Sequence, residues 1–319
     1  MAAISTDGLT KRFGEDVLAV HDLDLTIEEG EIFGFLGPNG AGKSTTINVL
    51  LDFIRPTAGS AQVLGMDAQA QSREIRRNIG VLPEGFELYE RLTAREHLEW
   101  VIETKDAADD PDEILQTVGL ADDGDRAAGG YSTGMGQRLA FGMALVGDPD
   151  LLILDEPSSG LDPNGIQQMR RIIREQAEAG TTVFFSSHIL SEVEAVCDRV
   201  GIMNQGELVT VDTIDGLREE YGGAATIELE CAALPQSLAV HELPGVENVT
   251  VEGMTITAHC AAPEAKVDVV EHVAEHTDVL DILSTEASLE ELFNSYTGGG
   301  RDGRPSQREE PADPEEVTA

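Results

Sequence analysis

The chain has 319 residues, enough for one large domain or two ordinary ones around a sizeable core. Its 21 basic residues stand against 60 acidic ones, a formal net charge of −39, so repulsion from phosphates argues against any general coating of DNA or RNA, and no nucleic-acid partner is expected. The acid excess is spread along the chain; it favours solubility, opposes compaction and fits a halophile-like protein whose self-repulsion is screened by salt.

Near the N-terminus, Phe13 in Lys11-Arg12-Phe13-Gly14 is placed to stack on a nucleobase, with simple packing as an equal alternative. Leu23, Leu25 and Ile27 alternate with Asp22, Asp24 and Thr26, the pattern of a half-exposed antiparallel strand. Ile32-Phe33-Gly34-Phe35-Leu36 reads as a buried strand, and Thr46 to Leu51 has helical spacing. Between them stand Gly37, Pro38, Asn39, Gly40, Ala41, Gly42, Lys43, Ser44 and Thr45, which fit the phosphate-loop (Walker A) pattern G-x-x-x-x-G-K-[ST] in its proper strand–loop–helix setting. The glycines let the backbone turn its N–H groups toward one point, and the helix adds its positive end. In such a loop Lys43 reaches the β- and γ-phosphates and the Ser44 hydroxyl coordinates Mg²⁺.

Arg55 to Ser60 reads as a turn, Gln62 to Leu64 as a short strand, and Ile79 to Leu82 as another strand running into Pro83-Glu84-Gly85. Thr93 with Glu96 makes a capping box for a helix to Thr104, with Leu98, Val101 and Ile102 on one face and Trp100 pointing away. An acidic loop over Lys105 to Pro111 leads to a short helix, Ile114 to Leu120. Another helix opens at Tyr131-Ser132-Thr133-Gly134-Met135-Gly136-Gln137-Arg138 and carries Leu139, Met143 and Val146. Leu151 to Leu154 is continuously apolar, as a central parallel strand requires, and ends in Asp155-Glu156-Pro157. Asp162-Pro163 caps a helix running to Ala179. The strand Thr182 to Phe185 ends in Ser186-Ser187-His188, and residues 201 to 209 read as a hairpin.

The texture changes at Gly222-Gly223. Thr226 to Leu229, Val249 to Val251 and Thr255 to His259 read as strands, Val267 to His276 and Leu289 to Phe293 as helices. Three parts are expected: residues 1–221, a small α+β accessory domain over 222–297, and a disordered acidic tail over 298–319. Cys197, Cys231 and Cys260 lack C-x-x-C spacing and read as reduced thiols inside a cell. No secretory signal is visible, and no apolar run approaches the ~18 residues that span a bilayer.

The motifs after the phosphate loop, taken in order over about residues 4 to 220, resemble the ATP-binding subunit of ATP-binding-cassette (ABC) transporters. Asp155-Glu156 is similar to the Walker B end, Ser132 to Arg138 to the family signature, Ser159-Gly160-Leu161-Asp162 to the D-loop and His188 to the switch histidine. The resemblance implies an α/β P-loop cassette with a mixed sheet core, an antiparallel β subdomain and a helical signature subdomain. It implies ATP and Mg²⁺ as ligands, with Asp155 holding the metal, Glu156 as general base and His188 on the γ-phosphate. Ser132, Gly134 and Asp162 would then face the ATP of another copy, so a homodimer, or a pseudo-dimer with a related subunit, is implied. An integral-membrane permease would be the further partner, and the chain would sit peripherally on the cytoplasmic face of the membrane.

Two departures stand out. Glu84 replaces the family's glutamine after the Ile79 strand; a carboxylate can meet Mg²⁺ but loses the amide donor. Tyr131-Ser132-Thr133-Gly134-Met135 replaces Leu-Ser-Gly-Gly-Gln. Both are similar to the separate-subunit drug and antibiotic export branch, as is Ser288-Leu289-Glu290-Glu291-Leu292-Phe293. The alternatives are a non-transport ATPase of the same family and a regulator that binds ATP without hydrolysing it. A groove between Glu84 and about Glu103, with Leu88, Tyr89 and Trp100, is the implied seat of the permease.

Overall fold

The computed structural model describes residues 1–221, 225–234, 239–261 and 265–286. The expected terminal helix at Leu289 to Phe293 and the tail over 298–319 lie outside them. Two long antiparallel strands open the chain, β1 (Ala2–Phe13) and β2 (Val17–Glu28). Residues 22 to 28 of β2 alternate between buried and exposed as their sequence requires. β3 (Ile32–Leu36), fully buried, leads through the glycine loop into α1 (Lys43–Leu50). β4 (Ala58–Val63) and β5 (Met66–Asp67) complete a four-stranded antiparallel sheet in the order β2-β1-β4-β5.

β4 begins inside the stretch that reads locally as a turn. Its pairing with β1, where Ala58 lies opposite Thr10 and Ser60 opposite Asp7, overrides the turn propensity of Pro56 and Gly59. Gly59 permits the close approach: its φ is +75°, and a Cβ there would sit 2.2 Å from the Gly8 carbonyl oxygen. Leu64 is not in the strand; with φ +52° it turns the chain toward β5.

α2 (Ser72–Asn78) precedes β6 (Ile79–Leu82). α3 (Ala94–Lys105) carries the Thr93–Glu96 capping box, and α4 (Pro111–Thr117) starts three residues before the expected helix because Asp110 caps it ahead of Pro111. α5 (Thr133–Leu145) stops before Val146, which leaves the helix with ψ 132° yet is fully buried. Lys105 Nζ donates to the carbonyls of Ile79 (3.0 Å) and Val146 (2.7 Å), tying the end of α3 to the start of β6 and the end of α5. Burial holds its pKa below that of a free lysine, against the nearby Asp109 charge.

β7 (Leu151–Asp155), α6 (Pro163–Glu178), β8 (Thr182–Ser187), α7 (Leu190–Glu194), β9 (Arg199–Asn204) and β10 (Glu207–Thr213) follow, and α8 (Ile214–Tyr221) ends this part of the chain. The central sheet has the order β10-β9-β3-β8-β7-β6, parallel except for β10. Its strands are apolar on both faces for a reason. Leu151 and Ile153 pack toward the antiparallel sheet with Phe33, Phe35 and Phe184, whereas Leu152 and Leu154 pack toward the helices with Phe141 and Ile173. The fold is therefore the α/β cassette with mixed and antiparallel sheets.

A third sheet, β12-β13-β11-β14, comprises β11 (Ala225–Cys231), β12 (Val246–Glu252), β13 (Thr255–Cys260) and β14 (Val279–Glu286). α9 (Ala265–Ala274) contributes Val269 and Val273 to its separate core, with Ile227, Leu229 and Ile256. Among the described residues no helix is long and apolar enough to cross a membrane.

Candidate nucleotide site

The glycine loop joins the end of β3 to α1 at the carboxyl edge of the central sheet. Gly42 has φ +110°, and a Cβ on it would come within 2.4 Å of the Ala19 carbonyl oxygen, so no larger residue fits. Gly42 also gives α1 no side-chain cap, so the first N–H groups of the helix are left to an anion. Helix α1 begins at Lys43, three residues earlier than its apolar spacing suggests, which puts Lys43 and Ser44 in its first turn. Pro38, Asn39 and Gly40 form the tip, where Ala41 N–H donates to the Pro38 carbonyl. Lys43 is 6% exposed and folds back to donate to the Gly37 carbonyl at 2.7 Å. Thr45 follows Ser44 half-buried in the same turn.

β7 and β8 are adjacent parallel strands, so the residues at their ends meet. Glu156, with φ +50°, leaves β7 in the left-handed region, a conformation costing about 1 kcal/mol outside glycine. That turn aims its carboxylate back over the loop. Oε1 lies 3.4 Å from Lys43 Nζ and Oε2 2.8 Å from His188 Nδ1. A carboxylate acceptor selects the His188 tautomer with the proton on Nδ1 and leaves Nε2 open. His188 is half-exposed, whereas Glu156 is buried.

Asp155 is 4% exposed. Burial raises its pKa above the usual carboxylate value, and the charges of Glu84 and Glu156 push the same way, against hydrogen bonds from Ser186 and Ser44. Ser186 was not singled out by its sequence context. Its hydroxyl donates to Asp155 Oδ1 and accepts the Glu156 N–H at 3.1 Å. Ser44 Oγ also reaches Glu84 Oε2 at 3.3 Å. Ser44, Asp155 and Glu84 thus converge as an all-oxygen set of the kind that suits Mg²⁺. Among the described residues there is no group of three or more His, Cys, Asp or Glu side chains arranged for a metal, but Mg²⁺ carried by a nucleotide needs only one or two carboxylates.

The remaining expected residues lie outside this cluster of contacts. Ser132 caps α5, accepting the Met135 N–H at 3.2 Å, and Asp162 caps α6, accepting the Gly165 N–H at 2.8 Å. Gly134 packs where a Cβ would approach the Gly160 carbonyl oxygen to 3.1 Å. Phe13 ends β1, 44% exposed, with Lys11 Nζ 4.9 Å from its ring centre. Leu88, Tyr89, Glu90, Arg91, Leu92 and Trp100 line a shallow groove in which the exposed Tyr89 and Trp100 rings meet edge to face at 6.0 Å.

Comparison with known proteins agrees with this geometry. The family model described as ABC transporter matches residues 20–159. The bacitracin transport ATP-binding protein BcrA of Bacillus licheniformis is 38% identical over 310 residues, which cover 94% of this chain and 99% of that protein. The linearmycin resistance ATP-binding protein LnrL of Bacillus subtilis (strain 168) is 32% identical, covering 92% and 98%. Among solved structures, an ATP-binding subunit of an ABC transporter superimposes with a TM-score of 0.64 at 28% identity, over 69% of this chain and 93% of that one. A dimeric ATP-binding cassette in a post-hydrolysis state with ADP and Pi gives 0.62 at 25% identity, over 66% and 98%. The chain belongs to the ABC transporter family, as an ATP-binding subunit and an ABC-type ATPase.

Proposed function

We propose that this chain hydrolyses ATP to drive export through a separate membrane permease, working as a dimer on the inner face of the membrane. The observation that carries the reading is Glu156, held between Lys43 at 3.4 Å and His188 at 2.8 Å above the phosphate loop. Support for export comes from relatives named for bacitracin transport, linearmycin resistance and Nod factor export. Residues 1–221 would form the nucleotide-binding domain and 222–297 the accessory one.

Residues 37–45 serve as the Walker A loop. Lys43 and the N–H groups at the start of α1 bind the phosphate oxygens. A phosphate that competes for the Lys43 ammonium releases Glu156 Oε1 from its ion pair. Glu156 then accepts the proton of the attacking water, while His188 Nδ1–H keeps the carboxylate oriented. Ser44, Asp155 and Glu84 would hold Mg²⁺, which when bound neutralises phosphate charge. Phe13 offers its open face to the base. Ser132, Gly134 and Asp162 would complete the site of the second copy, each chain lending its α5 N-terminus to the other's ATP.

Glu156→Gln keeps the shape of the side chain and removes the base. Nucleotide should still raise the melting temperature, turnover should fall by a factor of about 10²–10⁴, and an ATP-bound dimer should accumulate on size-exclusion chromatography. Hydrolysis at the wild-type rate would overturn the assignment.

A further inference from the structure

Glu192, the third residue of α7, is 5% exposed, and no cation lies within ion-pair distance of it among the described residues. A desolvated carboxylate without a countercharge is costly unless hydrogen bonds hold it in place. Two do, and both reach Oε2: Ser158 Oγ donates at 2.7 Å and Ser187 Oγ at 2.9 Å. Both serines are buried as well.

Those two serines stand next to the machinery on either side. Ser187 ends β8 immediately before His188; its hydroxyl also accepts the Ile189 N–H at 2.9 Å, and its carbonyl accepts the Gly37 N–H at 3.2 Å. Ser158 lies two residues beyond Glu156, in the turn that runs to Asp162; its carbonyl accepts the Leu161 N–H at 3.0 Å. The same turn rests on the start of α5: a Cβ on Gly160 would come within 2.7 Å of Thr133 Cγ2, and Gln137 Nε2 donates to the Pro157 carbonyl at 3.0 Å. A continuous series of contacts, solvent-exposed at Thr133 and Gly160 and buried from Ser158 through Glu192 to Ser187, therefore joins the N-terminus of α5 to the backbone that carries His188.

We propose that Glu192 is a positioning residue for ATP hydrolysis: it ties the 158–162 turn to Ser187, so that the placement of His188 against Glu156 depends on the position of that turn. The inference rests on the catalytic reading of Glu156 and His188 given above. A carboxylate suits this role because one oxygen accepts two hydroxyl donors from different segments. Glutamine keeps one such oxygen, whereas alanine loses both bonds.

The test is steady-state ATPase kinetics on the full chain, with thermal melting as the control for folding. Glu192→Ala should lower kcat about tenfold with less than a ~threefold change in KM for ATP, and Glu192→Gln should restore kcat to within ~threefold of wild type. Ser158→Ala and Ser187→Ala each break one side of the bridge. Their double variant should be within ~twofold of the worse single variant, because either loss uncouples the turn from His188. Multiplying losses in the double variant, or a wild-type kcat in Glu192→Ala, would overturn the inference. If Glu192→Ala fails to fold, the serine pair and Glu192→Gln decide the matter. Where Glu156→Gln is inactive and Glu192→Ala is not impaired, only the positioning role falls; where Glu156→Gln turns over normally, both readings fall.

Discussion

Replacing Asp155 by Asn should make the nucleotide-free protein more stable and the ATPase inactive. Asp155 is buried at the end of β7 with Glu84 and Glu156 nearby, and its pKa is raised by burial and by both of those charges. The Ser44 hydroxyl lies between Glu84, at 3.3 Å, and Asp155. The two carboxylates are thus separated by about two hydrogen-bond lengths, ~6 Å. At an effective dielectric constant of about 20 their repulsion is ~2–3 kcal/mol. Asparagine removes that repulsion but weakens the bond from Ser186, which costs ~1–2 kcal/mol. The net gain of ~1 kcal/mol corresponds to a rise in Tm of ~1–2 °C for a chain of this size. The sign of the pH dependence follows from the raised pKa. Asp155 takes up its proton more readily folded than unfolded, so the wild type regains this stability as pH falls through the raised value, and the advantage of Asp155→Asn shrinks on acidification. Differential scanning fluorimetry without nucleotide, from neutral to mildly acidic pH, measures the difference. Mg²⁺ with ATP should protect the wild type and not the variant, and turnover should fall at least ~100-fold. A lower Tm for the nucleotide-free variant, or undiminished Mg²⁺-dependent protection, would refute the reasoning.

Three further outcomes are expected. Mixing Ser132→Arg with Lys43→Ala subunits should leave at most one competent site in each mixed dimer, measured as ATPase activity against mixing ratio; full two-site activity would remove the trans arrangement. Replacing both Leu88 and Tyr89 by Ser should weaken co-purification with the permease while sparing basal ATPase activity, because the Tyr89 ring is 60% exposed; a fall in Tm together with activity would show that the pair packs the helical region instead. With a net charge of −39, Tm and ATPase activity should rise from low salt toward molar KCl, and a flat or falling profile would argue against a salt-adapted surface.

Short motifs made much of the site legible, because their chemistry is local. A Gly-x-x-x-x-Gly-Lys-Ser loop between an apolar strand and a helix has few uses besides holding phosphates, and the double-faced burial of β7 explains why Asp155-Glu156 follows four apolar residues. Alternation alone placed the exposed and buried faces of β2, and the capping box placed the start of α3. What the tertiary structure alone decided are the bonds between segments far apart in the chain. Ser186 joins Asp155 and Glu156 across about thirty residues because β7 and β8 are neighbours in the sheet. Glu192 gathers Ser158 and Ser187, and Lys105 gathers Ile79 and Val146. Serine, glutamate and lysine are surface residues by default, so their burial leaves no trace in composition or periodicity. Only the packing that removes water from them makes their partners obligatory, and that packing is set by strand order, which no local pattern encodes.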